Sequence, residues 1–138
     1  MPSLYLHDYE RKFVMGFYDW NNLRPDEITD LYTRKVALGE SVTVARVEVL
    51  EGAVTQPHVH DHEEIIIVLK GAWKFFLPTE EVIVRENQML AIPPGVEHSS
   101  EALQNTSALD ICPSLRVDWI TGEDRALHHD PDERLWAV

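Results

Sequence analysis

The chain has 138 residues, which is enough for one domain with a single hydrophobic core. Hydrophobic residues make up 44% and charged residues 26%, so the composition excludes a disordered protein. The formal net charge of −12 would repel phosphate backbones and anionic lipid headgroups, so we expect neither nucleic acid nor a membrane as a partner.

The N-terminus, MPSLYLHDYERK, lacks the apolar stretch of a signal peptide, and no run of about 18 apolar residues occurs in the sequence. The single cysteine, Cys112, cannot form an internal disulfide. Together these features predict a cytoplasmic protein in a reducing compartment.

Residues 1–40 have no clear period and predict an irregular N-terminal segment. Within this segment, RPDEITDLY (24–32) has two interpretations. It could form one helical turn after Pro25, or it could be a loop that enters a strand at 32–38. The sequence favours neither.

From residue 42 onward, short β-branched runs alternate with turn residues, a pattern typical of an antiparallel barrel or sandwich. The predicted strands are 42–50, 64–70, 72–77, 81–86, 88–92 and 107–112. The breaks between them are supplied by Gly52, Gly71, Pro78, Asn87 and the turn 93–95.

The run IIIVL (65–69) is apolar on both faces of a strand. One face is expected to line the barrel, and the other to be covered by a second sheet, the N-terminal segment or another subunit, which predicts a homodimer. The tail, 119–138, has no clear period, and Pro131 argues against one continuous helix. In this tail we expect His128 and His129 to lie at the surface.

The stretch QPHVHDHEEIIIVLKG (56–71) places three histidines and two glutamates before the apolar run. On an extended strand, side chains two apart point to the same face, so His58 and His60 can direct both imidazoles to one point. Glu64 could add a carboxylate after a tight turn, and His98 follows the rigid turn PPGVE. Imidazole and carboxylate are common ligands of divalent transition metals. An isolated pair of this kind is more often a solvated loop, so the surrounding pattern decides.

That pattern resembles the first motif of the cupins: Gly52, five residues, His58-Val59-His60, three residues, Glu64, six residues, Gly71. PPGVEH (93–98) resembles the PxGxxH core of their second motif. Asn87 stands where that motif usually has glycine, and Ala102 where it often has asparagine. The resemblance implies an all-β fold, the cupin double-stranded β-helix or jelly-roll barrel. It would form one domain over 1–138, with the barrel at about 37–119.

By this resemblance, the metal ligands are His58, His60, Glu64 and His98, and they would hold one divalent ion such as Fe2+, Ni2+, Zn2+ or Mn2+. One or two coordination positions would stay open for a substrate. His62 has the strand parity to compete as a ligand or to support one. Its neighbour Glu63 is expected to face solvent.

The segment SSEALQNTSALDICPSLRVDW (99–119) is similar to the corresponding segment of the small, uronate-linearising cupins of pectin degradation. In that group, which acts on 4,5-unsaturated monouronates, an Asp, a Phe and an Arg of this segment lie by the metal and handle the substrate. Asp110 and Arg116 match the Asp and the Arg, and Cys112 stands at the Phe, so we expect a different pocket wall. The group also commonly has glutamine at the position of Glu64.

The resemblance therefore implies catalytic roles for Asp110, Cys112 and Arg116. Strand alternation predicts that Asp110 and Cys112 point into the barrel. Asp110 could move a proton or only hold a ligating histidine, Arg116 could bind a substrate carboxylate or form a surface ion pair, and Cys112 could be a small core residue. Trp73 and Phe75 share a strand face and could line the pocket or pack in the core.

The leading hypothesis is a metal-dependent enzyme of isomerase or lyase type that acts on a small carboxylated or hydroxylated, sugar-like or cyclic substrate. Linearisation of an unsaturated uronate is its most specific form. One alternative is a non-heme iron dioxygenase of quercetinase-like or diketone-cleaving type, which the same ligands would suit. The other is a non-catalytic cupin that binds a small ligand.

Overall fold

The structure, a computed structural model, describes residues 16–128 of the chain. In this part, the strands are β1 (Asp26–Thr29), β2 (Tyr32–Leu38), β3 (Thr43–Val49), β4 (Val54–His58), β5 (Glu64–Lys70), β6 (Ala72–Phe76), β7 (Glu81–Arg85), β8 (Met89–Ile92), β9 (His98–Ala102) and β10 (Thr106–Cys112). The helices are a 3-10 helix at Trp20–Asn22, the α-helix α1 (Val117–Thr121) and a second 3-10 helix at Glu123–His128.

The strands form two sheets in which every pair of neighbours is antiparallel. The larger sheet has the order β1-β2-β3-β10-β5-β8 and the smaller sheet the order β4-β9-β6-β7. Apolar side chains from the inner faces of both sheets form one core, among them Val36 and Val47 from the larger sheet and Trp73 and Phe75 from the smaller one. The predicted all-β jelly-roll barrel is confirmed.

The predicted strands at 64–70 and 107–112 are confirmed, the second with one more residue at its start. The short strands β4 and β9 were not predicted, because VTQPH and HSSEA contain few β-branched or aromatic residues. β4 also contains Pro57, which is tolerated because β4 is an edge strand of the smaller sheet. These two strands carry histidines of the predicted metal site.

In the segment RPDEITDLY, the helical turn and the loop were both wrong, because residues Asp26–Thr29 form a strand, whereas the strand at 32–38 is confirmed. β1 pairs with β2 across a tight connection, and the side chain of Ile28 is buried in the core. Burial of Ile28 and pairing with β2 favour the extended backbone over an isolated helical turn.

The backbone conformation explains the residues found at two turns, Gly71 and Asn87. Gly71 has φ +106°, and a Cβ there would lie 2.5 Å from the carbonyl oxygen of Asn105. Asn87 has φ 66°, in the left-handed region that asparagine tolerates better than most residues. Asparagine can therefore replace the glycine that is usual at the start of the second cupin motif.

The described part of the C-terminal tail forms short helices, in which Trp119, Ile120 and Asp124 are buried. Gly122, with φ 79°, separates α1 from the second 3-10 helix, which packs against β4 and β1. The expectation that His128 lies at the surface was wrong, since its side chain is only 7% exposed. His129 and Pro131 lie outside the described residues. None of the helices described is long and apolar enough to span a bilayer.

Candidate metal centre and its cavity

Three imidazoles converge between the two sheets. His58 ends β4, His98 begins the neighbouring β9, and these two residues are paired in register. His60 lies in the loop that follows β4. One ring nitrogen from each of the three lies within 4.8 Å of the others. The structure thus brings together the three histidines that the sequence predicted as ligands.

Each of these rings is oriented by a hydrogen bond to the backbone two residues away. The Nδ1–H groups of His58, His60 and His98 donate to the carbonyl oxygens of Gln56 (2.8 Å), His62 (2.9 Å) and Val96 (2.9 Å). A carbonyl oxygen can only accept, so Nδ1 must carry the hydrogen in all three rings. The lone pair of a neutral ring is then left on Nε2, which is the form that binds a metal ion.

The carboxylate of Glu64, the first residue of β5, faces these nitrogens. Its Oε1 lies 3.1 Å from Nε2 of His98 and 3.4 Å from Nε2 of His60. Ligand atoms at about 2.1 Å from one ion, in adjacent coordination positions, lie roughly 3.0 to 3.4 Å apart. The donors and their spacing fit a divalent transition metal.

The electrostatics of the centre favour a cation. Burial alone would raise the pKa of Glu64, but hydrogen bonds with His60 and His98 outweigh it and hold that pKa well below its usual range. Burial would lower the pKa of His98, yet the hydrogen bond with Glu64 raises it overall. For His58, burial dominates and lowers the pKa. An ion bound here would displace the proton that His98 shares with Glu64.

His62 and Glu63 lie outside the group of converging nitrogens. The ring of His62 stacks on that of His60, with centroids 4.3 Å apart and planes 14° apart, and its carbonyl oxygen accepts from His60. His62 therefore supports His60 through its backbone and its ring. Glu63 is exposed, as expected.

Asp110 lies on the inner face of β10, close to Glu64. Its side chain is buried, and Oδ1 has no hydrogen-bond partner among the described residues. Burial raises the pKa of Asp110 well above its ordinary value, and the negative charge of Glu64 raises it further. The site therefore pairs an ionised carboxylate with a carboxyl group that holds its proton.

Arg116 was predicted either to bind a substrate or to form a surface ion pair, and its position is buried rather than at the surface. Its Nε and Nη2 donate to the two carboxylate oxygens of Asp118, at 2.8 and 2.6 Å. Its Nη1 donates to Sγ of Cys112 at 3.4 Å, and the guanidinium stacks on Trp119, 4.2 Å from the ring centroid. Cys112 is fully buried in the core, where burial raises the pKa of its thiol.

A small cavity of about 40 Å³ joins these groups. His58, Glu64, His98, Asp110 and Arg116 all line it. Both interpretations of Trp73 and Phe75 hold, because the two buried rings pack against each other, 4.9 Å apart, and also line the cavity.

The sequence did not predict the part of the cavity wall that the C-terminal segment supplies. Asp124 and His128 line the cavity, together with Tyr32 of β2. Arg34, also on β2, anchors Asp124 through two hydrogen bonds of 2.6 and 3.0 Å. The sequence contained one indication of this wall. Arg34 lies between Tyr32 and Val36 in the inward-facing row of the predicted strand, and its guanidinium, once buried, needs a buried anion as its partner.

Comparisons with known proteins agree with this architecture. Residues 45–112 match the family profile of the cupin domain. No curated protein matches the sequence. Among solved structures, KdgF from Halomonas sp. is similar at 23% identity, over 75% of this chain and 99% of that chain, with a TM-score of 0.70.

Two other similar structures carry different names. An RmlC-like cupin from Shewanella frigidimarina NCIMB 400 has 16% identity and a TM-score of 0.71, over 76% of this chain and 96% of that one. Ectoine synthase from P. lautus has 14% identity and a TM-score of 0.69, over 79% of this chain and 86% of that one. At such identities the likeness establishes the fold alone.

Proposed function

Because this chain carries a cupin domain, we propose that it is a metal-dependent enzyme that converts a small substrate by metal-assisted proton transfer. One observation carries the proposal. The nitrogens of His58, His60 and His98 and the carboxylate of Glu64 converge in a cavity that also holds Asp110, a buried carboxyl with an unpartnered oxygen. Ligands beside a positioned acid are what such chemistry requires.

His58, His60, Glu64 and His98 would hold one divalent ion, of which Fe2+, Ni2+, Zn2+ and Mn2+ suit the donors. When bound, the ion would polarise a hydroxyl or carbonyl oxygen of the substrate. The three Nδ1–H bonds to the backbone would keep the rings in place.

The substrate class is a small carboxylated or hydroxylated, sugar-like or cyclic compound, and the reaction is of isomerase or lyase type. Its most specific form is the linearisation of a 4,5-unsaturated uronate, supported by the resemblance of residues 99–119 to the cupins that catalyse it. In this reaction a proton leaves the anomeric hydroxyl when the ring opens, and a proton is delivered to carbon. Asp110, which holds its proton, would deliver the proton to carbon.

Arg116 would bind the carboxylate of the substrate. In the structure its planar fork is held by Asp118, whose side chain is 36% exposed and has room to turn toward solvent. A substrate carboxylate with the same bidentate geometry would take the place of Asp118. Cys112 would act through Arg116, because its sulfur accepts the third guanidinium hydrogen bond and is itself shielded from the cavity.

The test is turnover of a 4,5-unsaturated monouronate without oxygen, by protein reconstituted separately with each of the four metal ions. We expect turnover with at least one ion, and its loss in His98→Ala and Asp110→Asn. Glu63→Gln, which changes an exposed carboxylate next to Glu64, is the matched control and should keep full activity. Protein that holds one ion per chain but opens no uronate ring would contradict the linearisation.

The donor set itself favours a second candidate, an iron-dependent dioxygenase. Glu64 is a carboxylate where the uronate-linearising cupins commonly have glutamine, and three imidazoles with one carboxylate suit iron(II) that binds both substrate and dioxygen. Oxygen uptake that requires both iron and a diketone or flavonol would support this candidate. If the chain acquires none of the four metal ions, a non-catalytic binding role replaces both enzymatic proposals.

We also propose that the chain forms a homodimer through the outer face of the larger sheet. Two apolar rows cross this face, Val44-Ile111-Ile65 and Leu109-Ile67-Met89. No described segment buries these side chains fully, and Met89 is 59% exposed. Ile67→Lys should convert a dimer to a monomer in light scattering, whereas Ile83→Lys, on the smaller sheet, should not. A wild-type monomer would refute the proposal.

A further inference from the structure

A second pair of polar side chains faces the cavity from the C-terminal segment. Asp124 and His128 lie four residues apart on the 3-10 helix Glu123–His128, and both line the cavity. Nε2 of His128 lies 3.1 Å from Oδ2 of Asp124. The two side chains are only 7% and 2% exposed, so water does not compete strongly for this bond.

The protonation state of the pair follows from its neighbours. Burial would raise the pKa of Asp124, but hydrogen bonds with His128 and Arg34 outweigh it and lower that pKa. Asp124 is therefore a carboxylate, which can only accept hydrogen bonds. The hydrogen of the imidazole consequently lies on Nε2, and neutral His128 keeps its lone pair on Nδ1.

Nδ1 of His128 is buried and has no hydrogen-bond partner among the described residues. The groups that face the ring are Asp124, on its own helix, and the aromatic ring of Tyr32 from β2, with centroids 4.4 Å apart. Burial raises the pKa of Tyr32 far above its ordinary value, so the phenol stays neutral. A buried polar atom without a partner costs about 1–3 kcal/mol, so its presence beside a cavity points to a ligand that completes it.

We propose that His128 is a second proton-transfer residue of the cavity, with Asp124 as the residue that positions it and stabilises its charged form. This inference rests on the proposed function, since linearisation needs protons handled at two atoms. Nδ1 of His128 would accept the proton of the anomeric hydroxyl, and the O–H electron pair becomes the new carbonyl bond. The pair of the broken ring C–O bond stays on the ring oxygen and leaves an enolate.

Asp110 would then donate its proton to the enolate carbon. The electron pair of the former carbon–carbon double bond forms the new C–H bond, and the enolate oxygen becomes the oxygen of a ketone. His128 loses its proton to water and Asp110 regains one from water, so no net proton or electron is consumed. Asp124 holds the Nε2–H throughout, as a carboxylate does for a histidine that acts as an acid or base.

The test compares His128→Gln with wild type. The glutamine side-chain amide can donate to Asp124 in place of Nε2–H, but it cannot carry the transferred proton. We expect kcat to fall at least about 100-fold with little change in KM, while the metal content and the midpoint of unfolding stay at wild-type values. Added imidazole should restore part of the activity of His128→Ala. A His128→Gln variant with wild-type kcat would overturn the role of His128 and leave the proposed function intact.

A second measurement keeps the inference testable if the uronate is not the substrate. Nitrogen NMR of the metal-loaded wild-type protein, assigned with His128→Gln, should show Nε2 of His128 protonated and Nδ1 unprotonated at alkaline pH. His62→Gln serves as the control, because it removes another imidazole outside the group of ligands. A spectrum with the hydrogen on Nδ1 would refute the assignment for any substrate.

Discussion

The two walls of the cavity are held in place by interactions of very different range. On the metal side, the hydrogen bonds that orient His58, His60 and His98 each span two residues. On the C-terminal side, the bonds between Arg34 and Asp124 span 90 residues. The orientation of each ring on the metal side is therefore set locally, whereas the C-terminal side exists only once β2 has taken its place in the barrel.

The two walls also differ in how their charges are balanced. On the metal side, three imidazoles face one carboxylate, and these four side chains would together ligate a bound cation. The C-terminal side balances itself, since the carboxylate of Asp124 is matched by the buried guanidinium of Arg34. We therefore expect loss of a metal ligand to lower metal content and activity, and loss of the Arg34–Asp124 pair to lower stability.

The largest expected effect is on the metal side. His98→Ala removes a ligand and should lower metal affinity by more than about 100-fold. Loss of a residue that only supports a ligand should lower the affinity less than this. Elemental analysis after reconstitution should find close to one ion per chain in wild type and almost none in the variant. His62→Ala, which removes the ring stacked on His60, should keep the ion. Full loading of His98→Ala would mean that the ion binds elsewhere.

Arg34→Met should produce the largest loss of stability. It leaves the carboxylate of Asp124 buried without its cation, and we expect the free energy of unfolding in urea to fall by about 3–5 kcal/mol. Arg46→Met is the matched control, because Arg46 pairs with Glu48 at the surface and its loss should cost no more than about 1 kcal/mol. Similar losses in the two variants would show that the buried pair has no special weight.

Acid should weaken the C-terminal side through Asp124. Its pKa is lower in the folded chain than in the unfolded chain, so the carboxylate stabilises the fold at neutral pH. This contribution is lost progressively as the pH falls from the unfolded-state pKa to the folded-state pKa. Between about pH 6 and about pH 3, wild type should lose over about 1 kcal/mol more than Asp124→Asn does. Glu123→Gln should follow wild type, and parallel curves for wild type and Asp124→Asn would contradict the assignment.

The smallest expected effect concerns Asp118, the ion-pair partner of Arg116. Asp118→Ala removes the carboxylate that holds the fork of Arg116 and frees it for a substrate. A half-exposed ion pair is worth about 0.5–1 kcal/mol, so KM for a carboxylated substrate should fall roughly 2- to 5-fold, with a small change in kcat. Asp30→Ala, at an exposed turn, should change neither. A rise in KM would show instead that Asp118 positions Arg116 for binding.

Much of the barrel was predictable because its central strands have local sequence patterns that indicate β structure. β5 coincides with the predicted strand at 64–70, since a β-branched run between a polar loop and Gly71 has few alternatives. β4 and β9 were missed because polar residues and a proline hide their pairing, which only the partner strands reveal. The interpretation of His128 was wrong because no local pattern shows that the ring of Tyr32, on β2, packs against its imidazole.

By itself, the sequence predicted the ligand set, because His58, His60, Glu64 and His98 stand at the spacings of the two cupin motifs. Each motif is a local pattern that is visible without the fold. The tertiary structure alone decided which charges are buried together. It placed Asp110 against Glu64, directed the fork of Arg116 to Asp118 and brought Asp124 and His128 to the cavity. The physical reason is that a buried charge or an unpartnered nitrogen is defined by all the chain that surrounds it, including residues far away in sequence.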